Sequence, residues 1–476
     1  MLLLHHSGRH RAAGDTGAGG RPHLGLTLVS ASLCIFMIQL DFFALNLALP
    51  TMAAELHTTT TNMQWVISGY MLAVGAFLIP GGRLGDIVGR KRMLMIGIAG
   101  FGACSLGAGL ASTASVVIVF RILQGVAAGI MFPLGIAVIT AAYPPQRTMR
   151  AIGNAYGIGA VAEALGPMFG GGLTELLGWR IVLLVNVPAA VAALVVVAVG
   201  VSESRDTTVP RTLDLPGLVA VVLGVAAVTY AVDRAADWHP AATIGIALAG
   251  LLILAAFVFR EKHTRWPLVS LDLFRNIPYV IVTFMAMAAN VAFVVATFVT
   301  TIYLQRVRDY SPLEAGLIFL AASVAAGIAG PLSGRLGERY NIPDTIAIAS
   351  LVGAVGLFVL SFGGGLGRYM PALALVGIGY GIGWAMASVG TQTVVPPERA
   401  GQASGVTLAI VVGMAGLAVA AAATLIEVGM PHSGSAAAGI GASIELLLRW
   451  LAVASAVAAV VLGMLARRLI PRAHRP

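Results

Sequence analysis

Along the chain, apolar residues come in blocks of about twenty, each nearly free of charge, and the blocks are separated by short basic or Gly/Pro-containing stretches. A helix rising ~1.5 Å per residue needs ~20 such residues to cross the hydrocarbon core of a bilayer. Only helices and closed barrels satisfy their backbone polar groups there. The blocks are too long and too uniformly apolar for the alternating strands of a barrel. The pattern therefore predicts an all-α membrane protein of about fourteen transmembrane helices. They fall near residues 26–49, 64–82, 93–112, 116–139, 152–173, 181–200, 214–232, 241–259, 279–304, 314–334, 344–362, 369–391, 403–426 and 446–466.

Composition agrees with that pattern. Hydrophobic types make up 58% of the 476 residues and charged types 10%, against roughly 25% charged in a soluble domain. The net charge of +9 raises the question of nucleic acid, but the basic residues lie in the short connections. With the N-terminus placed inside, 22 of the 29 Lys and Arg fall on the cytoplasmic side and 5 outside, while Arg121 and Arg449 lie within spans. That asymmetry is the positive-inside signature. It implies a multi-pass membrane protein with both termini cytoplasmic and no nucleic-acid partner; the Ala-, Gly-, Val- and Arg-rich composition, with Lys only at 91 and 262, points to the plasma membrane. Cys34 and Cys104 both sit in apolar blocks, so reduced thiols are expected, with no disulfide and no metal site. Residues 1–23 read as a disordered cytoplasmic tail.

The chain also repeats itself at an offset of 252. Gly82-Arg83-Leu84-Gly85-Asp86 returns as Gly334-Arg335-Leu336-Gly337-Glu338, and Pro144-Pro145-Gln146-Arg147 as Pro396-Pro397-Glu398-Arg399. Gly125 and Gly129 match Gly377 and Gly381. The offset equals eight spans, so the first six helices match the last six and two are inserted between them. The expected organisation is a six-helix bundle at 24–202, a linker with two extra helices at 203–262, a second bundle at 263–468 and a tail at 469–476. Two parallel repeats around a midplane cavity is transporter architecture.

Several motifs carry a family resemblance. Gly82-Arg83-Leu84-Gly85-Asp86-Ile87-Val88-Gly89-Arg90-Lys91-Arg92 resembles the loop 2–3 signature of the major facilitator superfamily, and Arg121-Ile122-Leu123-Gln124-Gly125 its helix-4 motif. Gly166-Pro167-Met168-Phe169-Gly170-Gly171 is similar to the helix-5 motif of its antiporters. The stretch from Leu40-Asp41 to Pro50 resembles helix 1 of the fourteen-helix drug:proton antiporter branch; so do Trp179-Arg180, Asn186-Val187-Pro188 and Leu213-Asp214-Leu215-Pro216-Gly217. The resemblance implies proton-coupled export. It gives Arg121 a part in proton coupling and makes the loop around Asp86, Arg90 and Arg92, with Gly82, Gly85 and Gly89, a latch between conformations.

The residues themselves point the same way. An ionisable group at the centre of a span costs ~2.5–3.5 kcal/mol on insertion scales, and needs a partner or a wet cavity. Asp41 and Arg121 both fall in the outer half of the membrane and can pair; an alternately wetted Asp41 is a candidate proton carrier. Glu163, near the middle of the fifth helix, can take a proton or attract a cationic substrate. Positions 293, 373 and 415, which match these three, are Phe, Leu and Ala, so charge chemistry is confined to the first half. Pro167 with Gly166, Gly170 and Gly171 reads as a hinge or seal. Arg90 and Arg92 are expected to meet acids across the interface between halves. Asn46, Gln124, Asn154, Tyr156, Asn290, Tyr380 and Trp384 are candidate substrate contacts, and Trp65 and Trp179 candidate interfacial anchors.

The expected function is alternating-access export of amphipathic or cationic compounds, antibiotics included, driven by protons, by a monomer without a cofactor. Its partners are a small-molecule substrate, protons and the bilayer. A transporter dedicated to one metabolite stays open. A membrane enzyme would need clustered His, Asp or Cys at one membrane face, which the scattered histidines do not offer; a channel would need a ring of like groups.

Overall fold

A computed structural model describes residues 23–205, 214–235, 238–264, 267–269, 271–395, 400–428 and 436–469. Fourteen long helices run back and forth: α1 Leu24–Glu55, α2 Thr60–Val88, α3 Arg90–Gly109, α4 Ala114–Ala142, α5 Pro145–Leu177, α6 Trp179–Gly200 and α7 Leu215–Asp233. They continue as α8 Pro240–His263, α9 Ile277–Val307, α10 Pro312–Arg339, α11 Ile342–Leu360, α12 Leu366–Thr393, α13 Ala400–Val428 and α14 Ala436–Leu469. Thirteen are long and apolar enough to cross a bilayer. The fourteenth, α5, is 33 residues long, carries Asn154, Glu163 and Glu175, and packs lengthwise on α1. Most helices outrun their apolar blocks by several residues. The largest difference is α14, which starts at Ala436 where the pattern predicts 446: its first turns are Ala/Gly-rich, and Glu445 and Arg449 dilute the apolar signal.

An even number of spans brings both ends of the bundle to one face. Arg83, Arg90, Lys91, Arg92, Arg147, Arg260, Lys262 and Arg275 lie at that end of their helices, and it is called here the basic face. Sharp reversals are built where the chain needs them. Gly89, at φ +130°, separates α2 from α3, and Gly178, at φ +88°, separates α5 from α6; L-residues with a side chain rarely adopt such angles.

The repeat is visible in three dimensions. Adding 252 to the starts of α2, α3 and α4 gives 312, 342 and 366, where α10, α11 and α12 begin. Packing repeats with it. Gly125 of α4 lies against the Tyr70 carbonyl of α2, and Gly377 of α12 against the Ala322 carbonyl of α10, both pairs being 252 apart. Arg92 and the residue that matches it carry opposite charges, each bonded: Arg92 of α3 faces Glu203 just past α6 at 3.8 Å, and Asp344 of α11 meets Arg467 of α14 at 2.6 Å, although the offset takes Glu203 to Ser455. The Pro-Pro repeat falls partly on 396–399, outside the described residues.

The halves meet along two seams, α5 with α10 and α2 with α13. Both are lined by glycine, which lets backbones approach closely where lipid supplies no hydrophobic drive. A Cβ on Gly75 of α2 would lie 2.9 Å from the Gly413 nitrogen of α13. The inserted α7 and α8 pack on each other, and α7 also touches α13 and α2. Its N-cap Asp214 accepts from Gly217 N at 3.1 Å and from Arg260 Nε of α8 at 2.8 Å, which ties the hairpin together at the basic face.

Candidate functional site

The most densely bonded polar group in the interior lies wholly within the first half. Arg121 projects from α4, fully buried, and its Nη1 donates to Asp41 Oδ2 of α1 at 2.5 Å and to Gln124 Oε1 at 2.7 Å. Its Nε donates to the Val66 carbonyl of α2 at 3.1 Å, and its guanidinium lies 4.2 Å from the ring centroid of Tyr70. The other carboxylate oxygen of Asp41 accepts from Asn186 Nδ2 of α6 at 2.6 Å and from Gln124 Nε2 at 3.4 Å. Asn186 also donates to Ser105 Oγ of α3 at 3.1 Å, and Ser105 donates to the Leu183 carbonyl at 2.8 Å.

Five helices thus contribute to one ion pair. A buried pair survives desolvation only when extra hydrogen bonds satisfy it, and removing one member strands the other. A proton on Asp41 would cancel one charge and leave Arg121 with no anion. The arrangement can therefore convert protonation into a force on the helices that hold it. Sequence reasoning pairs Asp41 with Arg121 and assigns Gln124 to a cavity; the structure puts Gln124 inside the pair's own network. Tyr70 and Ser105 carry no sequence signal. Asn186 does, within the Trp179-Arg180 to Asn186-Val187-Pro188 motif, whose geometry is now plain. Trp179 Nε1 donates to Glu55 Oε2 at the end of α1 at 2.7 Å, and Arg180 bonds the same carboxylate. Both ends of the motif fasten α6 to α1. Trp179 is accordingly fully buried, not an interfacial anchor: its indole N–H has a carboxylate to reach.

The helix-5 motif lies where α1, α5 and α10 meet. Gly166 and Gly170 face Phe43 and Ala44 of α1, and Gly171 faces the Pro312 carbonyl of α10. In return, a Cβ on Gly316 of α10 would lie 2.6 Å from the Pro167 carbonyl oxygen. Toward the face opposite the basic one, the halves are joined further. Phe43 and Phe293 rings lie 6.1 Å apart, Gln305 Nε2 reaches the Leu47 carbonyl at 2.9 Å, and Glu175 Oε2 accepts from Leu313 N at 3.0 Å. Gln305 is aimed by a π-helical turn, Tyr303–Val307, that ends α9.

Toward the basic face the same seam parts. Gly153 lies eighteen residues, or five turns, below Gly171 on the same side of α5, and a Cβ there would meet nothing within 4 Å. Gly327, three turns from Gly316 on α10, is equally open. Along α5 and α10 the halves are therefore closed at one end and cleft at the other.

Glu163 is not brought to the Asp41–Arg121 pair. It is partly exposed on α5 and has no hydrogen bond or ion pair among the described residues. The cavity candidates divide. Asn154 and Tyr156 are exposed on α5, and Asn290 and Trp384 are partly exposed. Asn46 is buried and donates to the Phe42 carbonyl of its own helix at 3.3 Å. Tyr380 is buried and donates to Ser455 Oγ at 2.8 Å, joining α12 to α14 away from any cleft.

In the loop between α2 and α3, Arg90 pairs with Asp86 one turn away at 2.9 Å. Glu203 accepts from the backbone N–H of Lys91 at 3.1 Å and of Arg92 at 3.2 Å. The expected cross-interface pairing is not formed: the acids that Arg90 and Arg92 meet here are Asp86, in the first half, and Glu203, at the start of the linker just past α6. Gly85 faces the Leu134 side chain of α4 and a Cβ on Gly82 would lie 3.6 Å from the Pro133 side chain, so these two glycines seat α2 on α4, while Gly89 gives Glu203 room to approach.

Two pseudo-symmetric six-helix bundles, glycine-lined seams and a one-sided cleft define a secondary-transporter architecture. The profile of the Major Facilitator Superfamily matches residues 31–421, and the chain belongs to that family. It is 31% identical over 399 residues to a tetracenomycin C resistance and export protein of Streptomyces glaucescens, covering 82% of this chain and 73% of that one. It is 33% identical over 391 residues to the multidrug resistance protein Stp of Mycobacterium tuberculosis, covering 80% and 72%. Its fold is shared with the crystal structure of a bacterial homologue of the human lysosomal transporter Spinster, at 15% identity and a TM-score of 0.66 over 95% of this chain and 98% of that one.

Proposed function

We propose that this protein is a proton-driven exporter of amphipathic or cationic small molecules, antibiotics among them, acting as a monomer in the plasma membrane. The basic face is cytoplasmic, as the positive-inside rule requires, and the cleft is the cytoplasmic entrance for substrate. Asp41 is the proton carrier. Arg121 holds it ionised until the opposite side opens, and a proton arriving from outside then breaks the pair and drives the return. Glycines at the α1–α5–α10 junction form the outer seal. The loop around Asp86 and Arg90 is the inner latch, engaged with the second half only when the cleft shuts. The observation that carries this reading is the fully buried Asp41–Arg121 pair, supported by two relatives named for drug export or resistance.

The test is uptake of fluorescent dyes and drugs into everted vesicles under an imposed pH gradient. Asp41→Asn and Arg121→Lys are expected to lose gradient-driven transport by at least tenfold. Arg121→Lys keeps the charge but not the fork that binds Val66, Gln124 and Asp41 together. Wild-type rates in Asp41→Asn overturn the mechanism. The tetracenomycin-exporting relative favours a second reading, export of one dedicated compound; a broad substrate panel separates the two.

A further inference from the structure

Glu163 and Asp41 are both acids embedded in the first half, yet their surroundings assign them different tasks. We infer that Glu163, at the closed end of the cleft between α5 and α10, is the seat for the positive charge of a lipophilic, aromatic organic cation, and that it stands outside the Asp41–Arg121 network. The inference rests on the export reading above and names its substrate class.

Asp41 is already committed to its own network. Arg121, Gln124 and Asn186 occupy both its oxygens. Glu163 has no partner among the described residues and is partly exposed. A lone carboxylate at this depth is costly, so its ionised form persists where water or a counter-cation reaches it.

Its position supplies that access. Helical spacing puts Glu163 between two stripes of α5. One stripe, Gly159, Gly166 and Gly170, faces α1; the other, Pro167 and Gly171, meets α10. Pro167 is one turn nearer the closed end, so Glu163 is placed just beneath the point where the halves join. Below it, Gly153 on α5 and Gly327 on α10 border open space.

The surrounding groups favour a particular cation. Gln39 of α1 packs beside Gly159, one turn from Glu163, and is also without a partner among the described residues. Tyr156 shares the Glu163 side of α5, ~10 Å nearer the basic face at ~1.5 Å per residue. It is 43% exposed, and its ring lies 6.1 Å from that of Phe132 on α4. Aromatic faces attract cations and pack against rings. One carboxylate with two aromatic rings along its approach suits a monovalent cation whose charge is shielded by phenyl groups. Such an ion gives up little hydration on entering; a bare ammonium or metal ion gives up much. The matching position in the second half is Ala415, so the repeat does not duplicate the seat.

The test is equilibrium binding of tetraphenylphosphonium to the purified full-length protein in lipid nanodiscs, with no proton gradient. Glu163→Gln is expected to weaken binding at least fivefold, and Glu163→Asp to stay within threefold of wild type. Size-exclusion profile and unfolding temperature confirm that each variant is folded. A loss below fivefold in Glu163→Gln, no measurable binding to wild type, or a loss in Glu163→Asp equal to that in Glu163→Gln overturns the proposal. Because no gradient is applied, these outcomes are independent of whether protons drive transport: a protein that binds tetraphenylphosphonium through Glu163 but ignores the pH gradient would sink the proton-coupling reading alone.

Discussion

Asn186 offers a direct measure of how tightly α6 is tied to the ion pair. Asn186→Ala deletes a 2.6 Å bond to the Asp41 carboxylate and a 3.1 Å bond to Ser105. A hydrogen bond to a charged group contributes ~1.5–3 kcal/mol, while polar bonds between membrane helices average ~0.6 kcal/mol. Ser105 keeps its own bond to the Leu183 carbonyl, so no hydroxyl is stranded. Asp41 Oδ1 keeps only the 3.4 Å contact to Gln124. The expected cost is therefore about 2 kcal/mol, most of it from the charged bond. In an Asp41→Ala background the same substitution loses only the Ser105 bond, about 0.6 kcal/mol. The difference, a coupling energy of roughly 1–2 kcal/mol, lies within the range seen for residues in contact. It can be read from reversible unfolding of the wild type, both single variants and the double variant in mixed detergent micelles. Additivity to within about 0.5 kcal/mol would mean that the two side chains do not interact, and would refute the five-helix description of the site.

Two further outcomes test other parts of the structure. Gly171→Leu would drive a side chain into the Pro312 backbone and wedge the closed seam apart; with Cys34 and Cys104 replaced by Ala, a Leu313→Cys probe is expected to react at least fivefold faster with a membrane-impermeant maleimide in that variant. At the basic end of the inserted hairpin, burial pushes the Asp214 carboxyl up, but the Arg260 hydrogen bond and the Gly217 N–H outweigh it and leave it below the ordinary carboxylate value. A depressed value adds stability above the unfolded carboxyl's pKa of ~3.9, and that stability fades as pH falls through the folded value. Asp214→Asn, which still caps α7, should lower the unfolding temperature at neutral pH, and the gap to wild type should narrow below about pH 4.

Much of this architecture is legible in the sequence because the bilayer imposes simple rules. Twenty apolar residues make a span, and a repeat of 252 residues makes a second bundle. The Asp41–Arg121 pairing is legible too, since two opposite charges at one depth have few other partners. What surrounds them is not. Tyr70, Ser105 and Asn186 lie on three further helices, and a single hydroxyl or amide in a span is as often a local bond as a tertiary one. Tyr380 illustrates the converse: it reads as a cavity residue but bonds Ser455, because helix rotation, invisible in composition, decides which side an embedded polar group faces. The loop arginines mislead for another reason. Their charges fit any acid on the basic face, and Glu203, beyond α6, is nearest once Gly89 turns the chain.

The opposite charges of Arg92 and Asp344 have a consequence for how the chain assembles. A protein holding two copies of one bundle risks docking a helix of one copy onto the counterpart of its proper neighbour. Were α3 to settle against the end of α14, Arg92 would confront Arg467; were α11 to settle against the end of α6, Asp344 would confront Glu203. Like charges at such short range repel. Reversing the sign between the copies thus tilts each half toward its own last helix, weakly, because both pairs are exposed to solvent.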